Sequence, residues 1–124
     1  MGSRIVSLPE ASQTNLLQLS RDALRRAGAS SCRGSAPQAL VEDLGFLSQT
    51  LGCVDGVLAA IRAELWRRER AGDLAVVDGP FVGEPVQALA TVDLWMTKAS
   101  TSATATQRAV DNAQIAASGL AQPR

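Results

Sequence analysis

Histidine and tyrosine are absent, and aromatic residues make up only 3% of the chain. Losing histidine removes the commonest acid/base group at neutral pH and the commonest nitrogen ligand for metals. Any metal site would then rest on carboxylates and two widely spaced thiols, so neither a metal nor an organic cofactor is expected, and the chain reads as non-enzymatic. Scarce aromatics also argue against a β-sandwich, where aromatic and β-branched residues are enriched. Charge of one sign is missing too. Twelve basic residues balance twelve acidic ones, which leaves no global field to draw in nucleic acid or an anionic membrane. Lys98 is the only lysine, so a basic surface would have to come from clustered arginines.

The first residues, MGSRIVSLPEAS, have no apolar targeting core, and Val6 stands where an acylation signal needs Ser or Thr. No run is read as approaching the roughly 20 residues of a membrane span. A cytoplasmic location is expected. A Cys32–Cys53 disulfide is not expected, since Cys53 lies ~24 Å up a helix that starts at Pro37 while Cys32 reaches at most ~18 Å from it; Cys53 is read as a small core residue of that helix and Cys32 as a loop thiol.

What is present is a set of alanine, leucine and valine residues at helical spacing. SLPEAS opens a helix over 9–27, with Ser7 as cap, Pro9 in the first turn and Glu10 closing a capping box, and Gly28 stopping it. GASSCRGSAP is a loop by composition. A second helix over 37–71 carries Leu40, Leu44, Leu47, Leu51, Val54, Leu58, Ile61 and Leu65 in alternating steps of four and three. That is a heptad seam. Beside it, Gly45, Ser48, Gly52, Gly56, Ala59 and Ala63 form a small-residue stripe that invites close approach of another helix.

The segment MTKASTSATATQRAVDNAQ has the Ser and Thr of a disordered tail but no Gly or Pro. Leu89, Val92, Met96, Ala99, Ala103, Thr106, Val110, Ala113, Ala117 and Leu120 place it in phase with a third helix over 86–118. Residues 72–85 are read as an apolar connector, with a miniature hairpin around Asp78-Gly79 as the alternative.

The fold expected is all-α: a long antiparallel, coiled-coil-like helical hairpin with a shorter N-terminal helix packed on it as a three-helix bundle, in a single domain. Leu65 should face Val92, Leu58 Ala99, Leu51 Thr106 and Leu44 Ala113, large against small, with Arg62 beside Asp93. Carboxylates such as Asp43, Asp55, Asp93 and Asp111 are read as solvated faces and interhelical pairing, and GDLAVVDGPFVG lacks a phosphate-loop pattern. Trp66, Arg67, Arg68, Arg70, Phe81 and Trp95 gather at one end of the hairpin and form the candidate partner-binding site, because exposed Trp with Arg is hot-spot composition. In outline the chain resembles the small secreted helical-hairpin substrates of type VII secretion, although their Trp-x-Gly turn and signal tyrosine are missing. The function expected is a scaffold or adaptor that self-associates, a dimer being favoured, and binds a protein partner. Alternatives are a nucleic-acid-binding module using Arg62, Arg67, Arg68 and Arg70, a small secreted hairpin, or a carrier of an apolar ligand beside Gly52 and Ala103.

Overall fold

The computed structural model describes residues 12–123. It is all-helical, with no strand among the described residues: α1 (Gln13–Ala29), α2 (Pro37–Gly52), α3 (Val54–Arg70) and α4 (Pro85–Ala117). The chain divides into two compact units; the first holds α1 and the second α2, α3 and α4.

Ser7, Pro9 and Glu10, the expected start of the first helix, lie outside the described residues. Ser12 is extended and caps α1 through its Oγ, which accepts from the Asn15 amide at 3.1 Å. The helix runs through Gly28 instead of stopping there. Ser30 ends it, its amide and hydroxyl both donating to the Arg26 carbonyl. Leu16, Leu17, Leu19 and Leu24 are exposed on α1.

The expected second helix is divided. Pro37 occupies the first turn as its missing N–H permits, but at Cys53 the backbone tightens. The Cys53 amide donates to the Thr50 carbonyl, and the thiol takes up the Gln49 carbonyl that the amide has left, at 3.4 Å. Cys53 is therefore exposed, not a core residue, and like Cys32 it is a free thiol. α3 then ends where the arginines and Gly72 foretold. Gly72 adopts φ +78, which lets Asp73 donate to Arg68 and Gly72 to Glu69, the paired bonds that close a helix with a left-handed glycine. The connector forms no hairpin ladder. One bond, Gly83 amide to Val76 carbonyl, closes it, and Asp78 accepts from the Gly79 amide.

The Ser/Thr-rich stretch is helical throughout. Two of its hydroxyls, those of Thr101 and Thr106, donate to the carbonyl four residues back on the same helix, as does Thr91 just before it, and Ser100 donates across to Asp55. What remains of the propensity cost is offset by packing of α4 on α2 and α3. These are the three helices packed together, because the turn at Cys53 makes two of one.

Cross-helix partners run in opposite chain directions. Gln114 donates to the Val41 carbonyl at 3.1 Å, Ser48 to Asp111, Ser100 to Asp55, and Arg62 to Asp93 at 2.7 Å. The anticipated Arg62–Asp93 pair thus forms, and much of the expected seam stays at the contact: Leu44, Leu51, Val54, Leu58, Ile61 and Leu65 on one side and Val92, Met96, Ala103, Val110 and Ala117 on the other are half-buried, while at the remaining positions of α2 and α4 burial passes to the next residue. On α4, Ala99, Thr106 and Ala113 are exposed, and Ser100, Gln107 and Gln114, one residue on, are half-buried in their place. On α2, Leu40 and Leu47 are exposed while Val41 is half-buried and Ser48 is buried. Polar partners accompany the shift: Gln114, Ser48 and Ser100 bond across the contact, and Gly45 and Gly52 clear the space for Gln114 and Gln107. A Cβ on Gly45 would come within 2.6 Å of the Gln114 amide nitrogen, and one on Gly52 within 2.7 Å of that of Gln107.

Among the described residues Leu89 is the only buried apolar side chain. Its burial contributes roughly 1.5–3 kcal/mol, and each cross-helix hydrogen bond only about 1 kcal/mol. One helix is long and apolar enough to cross a membrane if α2 and α3 are taken together, at mean hydropathy 1.5. This corrects the expectation that no segment would approach that length; Asp55 lies within the stretch.

The glycines separate close approach from open space. Nothing lies within 4 Å of a Cβ added to Gly56, so Gly56→Ala should gain up to about 1 kcal/mol in urea unfolding from helix propensity. Gly45→Ala should gain little or lose, because it pushes Gln114 off the Val41 carbonyl. Equal gains at the two positions would contradict this packing.

Candidate interaction site at the tryptophan end

The six site residues of the sequence reading fall at one end of the packed helices but split into two sets. Trp66 is half-buried on α3 and its indole N–H donates to both Asp93 oxygens, at 3.2 and 3.0 Å. Arg62 grips the same carboxylate through Nε at 2.7 Å and through an Nη at 3.3 Å. Asp93 thus clasps α4 to α3 through two residues one turn apart. Both donors favour the charged form, so the Asp93 carboxyl is held below its ordinary value, chiefly by the Arg62 hydrogen bond, and Arg62 is raised in turn. Arg67 and Arg68 close on Glu64 one turn back, at 2.7 Å each. Their hydrogen bonds lower the Glu64 carboxyl to about 2.

Trp95 behaves differently. It lies two residues after Asp93, about 200° round the helix, and is 62% exposed with the Lys98 ammonium 5.2 Å from its ring centroid. A cation–π contact at such an exposed position stabilises by about 0.5–1 kcal/mol. Arg70 is exposed in the last turn of α3, and Phe81 is half-buried in the connector. Trp66, Arg67 and Arg68 are therefore occupied within the chain, while Arg70 and Trp95 present free surface.

Asp93 and Glu64, the acceptors that organise this end, were not singled out as site residues. Glu64 was legible: it stands three residues before Arg67 and four before Arg68, the spacing of helical ion pairs. Lys98 likewise follows Trp95 by three.

A groove of about 600 Å³ runs along α3 and α4 beside Asp55, Leu58, Arg62, Met96, Ser100 and Thr101. The gap expected beside Gly52 is occupied by the Gln107 side chain. Among the described residues no three metal-ligating side chains cluster. Comparison with known protein families, with curated proteins and with solved structures finds no match.

Both lowered carboxyls contribute stability that is complete above their ordinary values and lost as pH falls toward the folded ones. The ordinary value is 3.8 for Asp93. In a Trp95→Phe protein, Trp66 emission should stay constant from neutral pH down to 3.8 and shift only below it. Asp93→Asn should abolish that step. A shift centred above 3.8 would contradict the clasp.

Proposed function

We propose that the protein is a non-enzymatic helical scaffold or adaptor, a coiled-coil-like hairpin that self-associates and receives a protein partner at its tryptophan end. One observation carries this reading. Among the described residues the helices bury one apolar side chain, Leu89, and leave Leu40, Phe46, Leu47, Leu94, Trp95 and Ile115 exposed on α2 and α4. Exposed apolar groups at this density mark surfaces that associate.

At the tryptophan end the free groups are Trp95, Lys98 and Arg70, an aromatic flanked by cations, which suits an acidic and apolar protein surface. The pairing of the other arginines favours protein over nucleic acid. Arg62 already meets Asp93, and Arg67 and Arg68 already meet Glu64, so phosphate would have to displace carboxylates to reach them. The reading places the protein in the cytoplasm, with no cofactor.

Light scattering over a concentration series tests self-association. A dimer or larger species is expected in the micromolar range. A strict monomer at high micromolar concentration would overturn the proposal.

A further inference from the structure

α1 has an amphipathic pattern for which its own unit supplies no partner. It is the only helix of the first unit among the described residues, and a lone helix of 17 residues is marginal in water. At about 100° per residue, Leu19, Ala23, Leu16, Ala27, Leu24 and Leu17 follow one another round an arc of about 160°. Ser20 and, in the first turn, Gln13 are the polar residues within it. All six apolar residues are exposed.

Charge frames this arc. Arg26 stands about 20° beyond Leu19 at one edge, and Arg21 about 40° beyond Leu17 at the other, with Arg25 and Asp22 on the opposite side. Arg21 meets Asp22 through one exposed contact at 3.2 Å, which holds it only weakly. Arg25, Arg26 and Arg33 make no ion pair among the described residues. The described part of the unit thus holds four arginines against one acid, in a chain that is neutral as a whole. A second copy of α1 laid on this face would set like charge against like. The arc is also wider than the roughly 100° stripe with which a helix packs on its neighbours. A plane bearing anionic headgroups covers the whole arc and meets both edges at once, because an arginine stem runs along apolar surface while its head stays in water.

We propose that α1 is an interfacial membrane helix, lying in the plane of an anionic lipid surface with Leu16, Leu17, Leu19 and Leu24 among the acyl chains and Arg21 and Arg26 at the headgroup phosphates. This role belongs to the first unit alone and stands whether or not the chain self-associates.

The full chain is floated with vesicles of phosphatidylglycerol and phosphatidylcholine in equal parts, and with vesicles of phosphatidylcholine alone. It should float with the anionic vesicles, far less with the neutral ones, and less as salt is raised. At about 1 kcal/mol for each arginine near the surface, Arg21→Gln with Arg26→Gln should weaken partition about thirtyfold. Arg25→Gln, on the far side, should weaken it clearly less than either edge substitution alone. In a chain with Cys32→Ser and Cys53→Ser, the emission of a polarity-sensitive dye on Leu24→Cys should shift to the blue with anionic vesicles, and that of the dye on Gln18→Cys should not. Absence of flotation overturns the proposal. So does flotation that is equal on neutral vesicles or unchanged by the edge substitutions, which would assign lipid binding to the apolar stretch Pro37–Arg70. A dye on Leu24→Cys already blue without vesicles overturns it by placing this face against protein. Equal loss from Arg25→Gln and from either edge arginine overturns it by making the attraction one of charge alone.

Discussion

The packing of this protein depends on a polar line along α4. Asp93, Ser100, Gln107 and Gln114 recur every seven residues, close to two helical turns, and each lies against a residue of α2 or α3: Trp66 and Arg62, Asp55, Gly52, and Gly45 with the Val41 carbonyl. Asp111 with Ser48 adds another rung. Directional bonds of this kind are met in one rotation and one alignment only, whereas leucines against alanines accept neighbouring ones at small cost. The passing of burial from Ala99, Thr106 and Ala113 to the next residue on α4, and from Leu40 and Leu47 on α2, fits that difference. Polar partners are expensive to leave unmade in a half-buried contact, and apolar side chains are cheap to leave half-covered.

That choice has a consequence outside the contact. Spending the facing positions on polar rungs leaves much of the leucine seam half-covered, and Leu40 and Leu47 turn out to solvent. The turn at Cys53 adds to this, since α2 and α3 meet α4 as two shorter segments. With one buried apolar side chain among the described residues, the packed helices have little stability to spare. The exposed leucines of α2 and the exposed Trp95 of α4 are thus two results of one cause.

Much of the architecture was legible. Pro37 and Gly72 punctuate helices as their backbone chemistry requires, and the Ser/Thr segment is helical because its apolar positions keep helical phase while Thr101 and Thr106 bond back to their own helix. The Arg62–Asp93 pair followed from aligning the two long segments. Three things were not legible, for different reasons. Apolar periodicity locates a face to within one residue, and choosing between Ala113 and Gln114 needs the partner that only the folded pair supplies. The turn at Cys53 sits in an unbroken heptad pattern, where only Gly52 hints at a weak point. Trp66 looked like free surface because its acceptor, Asp93, is 27 residues away in sequence.

The most direct measurement is a set of nuclear Overhauser contacts in the isotope-labelled protein. The account predicts contacts from the Gln114 side-chain amide to the Gly45 α-protons and from that of Gln107 to Gly52. Contacts from the Ala113, Thr106 and Ala99 methyls to the leucines of α2 and α3, with the glutamine amides exchanging freely with water, would contradict it.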